Sequence, residues 1–283
     1  MSLLTGKPQY EDLFEWQLYN AASVSIGMDG RSYFYNNPLA CRGSLSRAPW
    51  YSVPCCPSNL SRTWAALGQY AYHADETALD LSQYVTGEIE LDWGRLEVDS
   101  GLPWCGDVRL TFALAGPHHT TLRLRLPAWS DTYELKLNGS PLLPDRVSDA
   151  ASLPETACGY APHGARVVAI SRAWQAGDVL ELALGMPLRL YRQHNKVPGC
   201  GGMAALARGP LVYCLESIDN PLDLFSVVVQ RDSLRPAYDA ALMGGSCKIE
   251  GRAADGTPLT FIPYMLLSNR GRSQMTVFFK TGK

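Results

Sequence analysis

The feature of this sequence that most limits its fold is a series of short segments, starting near Leu79, in which apolar and polar residues alternate. Alternation with a period of two is typical of strands that bury one face and expose the other. The clearest segments are 79–85, 109–114, 121–126, 133–137 and 179–184. Turn dipeptides such as Asn138-Gly139 and Gly177-Asp178 lie next to them. The pattern predicts an antiparallel β-sandwich, in which the outward Arg and Lys residues face water and have no function.

The first 75 residues show a helical pattern instead. One helix is predicted over 10–21, after Pro8, and a second from about Pro57 to Ala71, each with apolar residues at helical spacing. Between them, Asp29-Gly30 predicts a hairpin turn and the aromatic run 32–35 predicts a strand. Because these helices have apolar residues on more than one face and two helices do not make a domain, we expect the remainder of a larger helical domain.

A glycine-rich break at 195–202 precedes further strand-like segments, which predict a second, smaller β unit. We therefore predict a mainly β protein with three parts. They are a helical remnant (1–75), a β-sandwich domain (76–192) and a second, C-terminal β-sandwich domain (193–283).

Composition narrows the classes of partner. The 283 residues include 25 Lys+Arg and 27 Asp+Glu, with no basic stripe, which argues against nucleic acid and an anionic membrane surface as partners. No apolar run is long enough to span a membrane and no signal peptide is evident at Met1, so we expect a cytoplasmic location. Eight scattered cysteines in so long a chain predict mostly buried thiols in a reducing compartment rather than a disulfide framework.

The dipeptide Cys55-Cys56 is the one local feature with a specific chemical interpretation. The two thiols are predicted to lie just before a helix, where unpaired backbone N–H groups and the helix dipole favour a thiolate. Neighbouring cysteines rarely bond to each other, and two thiolates suit zinc. The alternative is a pair of small buried residues that close the helix onto its neighbours.

Two other polar features have competing interpretations. Glu15 lies on an apolar helix, where a carboxylate is costly unless it has a partner, and the alternative is a boundary residue that faces water. His118-His119 precedes a predicted strand and is interpreted as a solvated turn. The sequence contains no phosphate-binding glycine loop, nucleophile elbow or dinucleotide fingerprint.

An ordered series of short motifs runs through nearly the whole chain. Its members are Leu18-Tyr19-Asn20-Ala21, Asp29-Gly30, Tyr33-Phe34-Tyr35, Asn37-Pro38-Leu39, Trp50, Cys55-Cys56-Pro57-x-Asn59-x-x-Arg62, Leu126-Pro127-Ala128-Trp129, Leu137-Asn138-Gly139, Trp174-x-x-Gly177-Asp178, Met186-Pro187, residues 207–216 and Ser268-Asn269-Arg270-Gly271. Each motif is weak alone, but the series resembles glycoside hydrolase family 127, the β-L-arabinofuranosidases.

The resemblance implies the last helices of an (α/α) barrel followed by two β-sandwich domains. It implies that Cys55 is the nucleophile of a retaining glycosidase and that Cys55 and Cys56 bind zinc. Glu15 and Tyr35 would then contact the substrate, an arabinose-containing oligosaccharide.

Two family elements are absent before Cys55, namely a Glu-x-Cys zinc element and the acid/base glutamate. We therefore expect a truncated enzyme with an incomplete zinc ligand set and little activity alone. Because the helices have exposed apolar faces, we expect the chain to form a homodimer or to associate with an N-terminal barrel. The alternative function is a non-catalytic carbohydrate-binding or structural β-sandwich module. A thiol redox protein is disfavoured, because no Cys-x-x-Cys lies in a βαβ setting.

Overall fold

The computed structural model describes residues 1–148, 164–192 and 201–282, and over these residues the protein is mainly β. The α-helices are α1 (Ser2–Thr5), α2 (Gln9–Gln17), α3 (Ser23–Ser25), α4 (Cys55–Ala65) and α5 (Gly68–Ala71). A π-helical turn covers Leu18–Ala22, and 3₁₀ turns cover Arg231–Ser233 and Tyr264–Leu266. The strands up to residue 148 are β1 (Ala40–Leu45), β2 (Tyr72–Ala74), β3 (Ala78–Leu81), β4 (Gly87–Leu91), β5 (Gly94–Ser100), β6 (Asp107–Leu114), β7 (His118–Leu126), β8 (Tyr133–Leu137), β9 (Ser140–Pro141) and β10 (Arg146–Val147). The later strands are β11 (Arg166–Trp174), β12 (Val179–Leu184), β13 (Leu188–Arg192), β14 (Met203–Arg208), β15 (Leu211–Glu216), β16 (Val228–Val229), β17 (Arg235–Asp239), β18 (Ser246–Arg252), β19 (Pro258–Pro263), β20 (Ser273–Thr276) and β21 (Phe278–Thr281).

The N-terminal helices form, with different ends from those predicted. The α-helix ends at Gln17 and becomes π-helical, because the backbone N–H of Ser23 bonds to the carbonyl of Leu18, five residues earlier. The second helix starts at Cys55 rather than near Pro57, so the two thiols lie in its first turn and not before it. Proline is tolerated in a first turn because its missing N–H has no helical partner there.

The aromatic run 32–35 is not a strand, and that prediction was wrong. Only Tyr33 forms β-bridges, to Ile26 and to Ala48. The turn predicted at Asp29-Gly30 is confirmed, since it lies between Ile26 and Tyr33 and Gly30 adopts a positive φ of 65°.

The chain forms two compact units, and neither coincides with the predicted helical remnant. Unit 1 consists of Met1–Glu15 and Trp64–Pro187, and unit 2 consists of Trp16–Thr63 and Leu188–Lys283. The first 75 residues are thus divided between the two units. The division into three domains stays a prediction.

Unit 1 contains a five-stranded sheet, in the order β10-β11-β7-β3-β2, and a six-stranded sheet, in the order β4-β5-β6-β12-β8-β9. All five alternating segments contribute to strands, as predicted. Neighbouring strands are antiparallel except β3 and β7, which are parallel. The buried rings of Phe112 on β6 and Trp174 on β11 stack with centroids 4.2 Å apart, which joins the two sheets. The sandwich architecture itself stays a prediction.

The outward cations of unit 1 are not all solvated. Arg109 and Arg123 are about half exposed, at 54% and 40%, whereas Arg125 at the end of β7 is only 1% exposed. The end of β7 is buried on both faces, because side chains of α2 cover its second face. The prediction that these outward cations face water was therefore wrong at Arg125.

His118 also differs from its interpretation as part of a solvated turn. It begins β7, and its ring stacks on Trp93 with centroids 4.5 Å apart. His163 and His194 lie outside the described residues.

Unit 2 contains a ten-stranded sheet whose main path is β16-β21-β14-β15-β19-β18-β17. Strand β13 pairs with β14, and β20 pairs with both β15 and β1. The N-terminal segment therefore adds a strand, β1, to a sheet that is otherwise C-terminal. Asn20 fastens the same segment, because its side chain donates to the carbonyl of Pro210 and accepts from the N–H of Val212, both at 2.8 Å.

The cysteines of the described residues are free thiols, but only some are buried. Cys214 and Cys247 are buried, Cys41 is half-buried, and Cys55, Cys56 and Cys105 are exposed. The prediction of mostly buried thiols is therefore wrong for this part of the chain. The two remaining cysteines, at positions 158 and 200, lie outside it. Over residues 1–148, 164–192 and 201–282, none of the helices combines the length and hydropathy that a membrane crossing requires.

Candidate active site

The first turn of α4 presents two exposed thiols side by side. The sulfur atoms of Cys55 and Cys56 lie 3.8 Å apart. The α-helical ladder begins at Ser58, whose N–H bonds to the carbonyl of Pro54 at 3.0 Å. The N–H groups of the first turn, before Ser58, therefore have no partner in the helical ladder. Exposure contradicts the alternative of two small buried residues, which was wrong.

Tyr35 lies beside these thiols. Tyr35 is 44% exposed. Side-chain hydrogen bonding with Cys56 raises the pKa of Tyr35 above its usual value. The negative charges of Cys56 and Cys55 raise this pKa further, because they disfavour a phenolate next to them. Of the four predicted site residues, the structure thus brings together Tyr35, Cys55 and Cys56.

Tyr51 belongs to the same site and was not predicted. Its hydroxyl accepts from the backbone N–H of Tyr35 at 2.8 Å and donates to the carbonyl of Tyr33 at 3.0 Å. The rings of Tyr35 and Tyr51 lie with their centroids 5.3 Å apart. Its place directly after the motif residue Trp50 was the available sequence clue. Its contacts with Tyr33 and Tyr35, however, form only because the folded chain returns to the segment that carries them.

The segment that carries Tyr35 is held by long side chains. Arg47 donates to the carbonyls of Val24 and Leu267, both at 2.9 Å, and lies 4.3 Å above the Phe34 ring. Burial lowers the pKa of Arg47 to about 10. The guanidinium remains charged near neutral pH and joins three parts of unit 2.

The motif Ser268-Asn269-Arg270-Gly271 is also bonded to residues on either side of Tyr35 in the sequence. Ser268 donates to the carbonyl of Leu45, and Asn269 accepts from the N–H of Met28, each at 2.8 Å. Arg270 anchors the motif through an ion pair of 2.9 Å with the fully buried Glu216. This motif therefore supports the thiol site structurally.

Glu15, the fourth predicted site residue, lies in unit 1 and is 2% exposed. Its carboxylate accepts from Arg125 Nη2 and from the indole N–H of Trp129, both at 2.7 Å. Arg125 also donates to Asp12 at 2.5 Å and to the carbonyl of Ser82 at 2.6 Å. The expectation that an apolar setting requires a partner for this carboxylate is confirmed, and the boundary interpretation was wrong.

Two members of this buried cluster, Asp12 and Arg125, have shifted pKa values. Desolvation raises the pKa of Asp12 to about 6, with a further contribution from the charge of Glu15, and Arg125 opposes both. Burial alone would lower the pKa of Arg125, but Glu15 and Asp12 outweigh it and raise this pKa. In this structure the carboxylate of Glu15 is engaged by protein groups, so its contact with substrate stays a prediction.

The thiol pair can be tested against the zinc that the family resemblance implies. Two Zn–S bonds of about 2.3 Å at a tetrahedral angle place their sulfurs about 3.8 Å apart, which matches the distance between Cys55 and Cys56. Among the described residues, however, no group of three His, Cys, Asp or Glu side chains could hold a metal ion. The pair therefore fits half of a tetrahedral zinc site.

Family models match consecutive parts of the chain. Residues 1–69 match the β-L-arabinofuranosidase GH127 catalytic domain, residues 78–186 the GH127 middle domain, and residues 188–280 the glycoside hydrolase family 127 C-terminal domain.

Individual relatives agree with these matches. A non-reducing-end β-L-arabinofuranosidase from Bifidobacterium longum subsp. longum is 30% identical, over 97% of this chain and 46% of its own length. The crystal structure of a GH127 β-L-arabinofuranosidase from Geobacillus stearothermophilus T6 superposes with a TM-score of 0.84 at 29% identity, over 100% of this chain and 48% of that one. A second solved GH127 β-arabinofuranosidase gives 0.83 at 28% identity, over 99% and 47%.

The chain thus spans about half the length of the relatives that it matches. Together the three family models account for nearly every residue in order, and the solved relatives share the fold over essentially the whole chain. The chain belongs to glycoside hydrolase family 127.

Proposed function

We propose that this chain carries the thiol part of the active site of a retaining β-L-arabinofuranosidase that acts on the non-reducing end of arabinose-containing oligosaccharides. The observation that carries the proposal is the exposed pair Cys55 and Cys56, 3.8 Å apart in the first turn of α4 and next to the phenol of Tyr35. A thiol pair with only a packing role would be buried.

In the proposed reaction the sulfur of Cys55 attacks the anomeric carbon of the arabinofuranose. The C–S bond forms as the bond to the leaving oxygen breaks, and a carboxylic acid protonates that oxygen. Water then displaces the sulfur, so that two inversions give net retention. Tyr35 would contact the sugar next to the thiols, and we keep Glu15 as a second proposed substrate contact.

We further propose that Cys55 and Cys56 bind zinc. When bound, the metal would keep the sulfurs deprotonated at neutral pH. Its remaining ligands and the proton-donating acid would come from outside the described residues, which offer no third metal ligand at the thiols. The 283-residue chain by itself should therefore have little glycosidase activity.

The experiment that tests this proposal is elemental analysis of the purified chain, comparing the wild type with Cys55→Ser and Cys105→Ser. Cys105 is also an exposed free thiol but lies in the other unit, so it is a matched control. Because two thiols are an incomplete ligand set, we expect weakly held zinc after equilibration with excess metal, which is lost in Cys55→Ser and kept in Cys105→Ser. Equal zinc content in all three proteins would refute binding at the thiol pair.

Activity is measured on an aryl β-L-arabinofuranoside. We expect hydrolysis only when a polypeptide with the remaining ligands and the acid is supplied, and none with Cys55→Ser. Full activity of the chain alone would refute the expected dependence. The alternative function, a non-catalytic carbohydrate-binding or structural module, predicts sugar binding without zinc and without hydrolysis under either condition. A homodimer stays a prediction, which analytical ultracentrifugation can test.

A further inference from the structure

Two segments of unit 2 contain no charged residue. Residues 32–41 and 48–61 lack Asp, Glu, Lys, Arg and His, although Asp, Glu, Lys and Arg make up 18% of the chain. Tyr33 joins the two segments, because its N–H donates to the carbonyl of Ala48 at 2.7 Å and its carbonyl accepts from the Ala48 N–H at 2.9 Å. The surface that they form has hydroxyl, amide and indole groups instead of charges. Such a surface suits a neutral, hydroxylated ligand and has nothing to pair with an ionic one.

Four aromatic rings of these segments lie in two pairs. The ring centroids of Tyr35 and Tyr51 are 5.3 Å apart, and those of Tyr33 and Trp50 are 5.4 Å apart. Tyr33 and Tyr35 are two positions apart in the sequence, so the chain separates their Cα atoms by at most about 7 Å. Phe34 between them is buried, as alternation along a strand-like segment requires. The two ring pairs therefore follow one another along one side of the segment.

Trp50 is the most exposed of the four aromatic residues, at 52%. Its contact with the Tyr33 ring has an interplanar angle of 83°, and such an edge-to-face contact uses at most one face of the indole. The face of an indole is electron-rich and attracts C–H groups, whereas its N–H is a hydrogen-bond donor. A sugar ring offers both kinds of partner, because C–H groups and hydroxyl groups alternate around it.

The chain keeps Trp50 close to the proposed nucleophile. Trp50 precedes Cys55 by five residues, so their Cα atoms are at most about 18 Å apart. Tyr35 is already the proposed contact for the sugar that Cys55 attacks. The pair of Trp50 and Tyr33 is the next aromatic pair along the segment from the pair that contains Tyr35.

We propose that Trp50, packed on Tyr33, forms a second sugar-binding position, which holds the neutral sugar residue on the leaving side of the scissile bond. The sugar would stack on the open face of the indole. The inference rests on the proposed function, because that function defines which sugar leaves. The uncharged aromatic surface itself does not depend on the chemistry of the thiols.

The test is sugar binding to the purified 283-residue chain in the presence of a chelator, followed by saturation-transfer NMR. The probes are methyl β-L-arabinofuranoside, which has one sugar ring, and an arabinofuranosyl disaccharide with the same non-reducing ring. Trp50→Ala removes the indole and Trp50→Phe keeps a smaller ring. Tyr238→Ala is the matched control, because Tyr238 is a 65% exposed aromatic residue of the same unit, on β17.

We expect the wild type to bind the disaccharide more tightly than the methyl glycoside, with strong saturation of its second ring. Trp50→Ala should raise the Kd of the disaccharide roughly two- to tenfold, the range that one aromatic stacking contact gives, and leave the Kd of the methyl glycoside unchanged. Trp50→Phe should lie between the wild type and Trp50→Ala. Tyr238→Ala should bind both probes as the wild type does.

Equal affinity of the wild type for the two probes would overturn the proposal, and so would a Trp50→Ala effect that is absent or shared by both probes. Absence of sugar binding, together with weaker self-association of Trp50→Ala in analytical ultracentrifugation, would assign this surface to a protein partner and would also overturn it. The zinc assay with Cys55→Ser fails or succeeds separately, because the sugar titration uses no metal and alters neither thiol.

Discussion

Replacing Arg125 by methionine should be among the most damaging single changes in unit 1. Arg125 is 1% exposed and is the cationic partner of two carboxylates, Asp12 and Glu15, which are 3% and 2% exposed. It also satisfies the carbonyl of Ser82. Methionine fills much of the same volume without strain, so the variant mainly removes charge and hydrogen bonds. Breaking a buried ion pair by removing one partner costs about 3–5 kcal/mol.

The control is Arg123→Met on the same strand. Arg123 forms an ion pair of 3.0 Å with Asp80, but the two side chains are 40% and 27% exposed. Water already screens such a pair, and its loss should cost less than about 1 kcal/mol. Urea denaturation followed by circular dichroism at pH 7 measures both variants. Equal losses for the two would refute the claim that burial makes the Arg125 cluster important.

The pH dependence gives a second check on the same variant. Arg125 lowers the pKa of Asp12, which burial has raised to about 6, so this pKa should rise further in Arg125→Met. The folded variant then binds a proton that the unfolded chain releases. Its stability deficit against the wild type should therefore shrink as the pH falls from 7 to 5. A deficit that grows on acidification would contradict the proposed cause.

Two other predictions concern stability. In the wild type the pKa of Asp12 is raised from 3.8 to about 6. The folded protein therefore holds a proton that the unfolded chain releases, and the stability that Asp12 contributes is full below pH 3.8 and is lost as the pH rises through about 6. The free energy of unfolding should fall over that window by up to about 3 kcal/mol, and Asp12→Asn should flatten the dependence in urea titrations at several pH values; a curve as steep as that of the wild type would refute this. Asn20→Ala should cost about 1–2 kcal/mol, because it leaves the part-buried backbone groups of Pro210 and Val212 without their partner. Asn20→Asp keeps the acceptor for Val212 and loses the donor, so its free energy of unfolding in the same assay should lie between those of the wild type and Asn20→Ala. An alanine variant as stable as the wild type would contradict the claim that Asn20 stabilises unit 2.

The strands of unit 1 were predictable because a half-buried strand alternates apolar and polar residues along its own sequence. The alternation of 121–126 places strand β7 correctly, but it cannot show what covers the outer face. Arg123 and Arg125 have the same local pattern, and only the packing of α2 makes one solvated and the other buried. Alternation with a period of two therefore predicts which face of a strand a side chain occupies. Whether that side chain is buried at the end of a strand depends on residues distant in the sequence.

The thiol site was predictable in part for the same reason. Cys55-Cys56 is a local feature, and the motif series supplied Tyr35. The contacts of Tyr51 form because Tyr33 bridges to Ala48, which returns the chain to the aromatic run. No periodic pattern in the sequence predicts this pairing, so Tyr51 was not predicted as a site residue.

The cost of burying charge gives a more general rule than the motifs do. A carboxylate at position 15 on an apolar helix predicts a partner, and the structure supplies Arg125, 110 residues away. The rule predicts that a partner exists but not which residue it is. The motif series has the opposite property, since it marks Asn20 and residues 207–216 without saying what they do. In the structure these two motifs are in contact, because the Asn20 side chain donates a hydrogen bond to the backbone of Pro210 and accepts one from the backbone of Val212. The two motifs therefore stabilise unit 2 through contact with each other. Membership of the family series does not by itself make a residue part of the catalytic site.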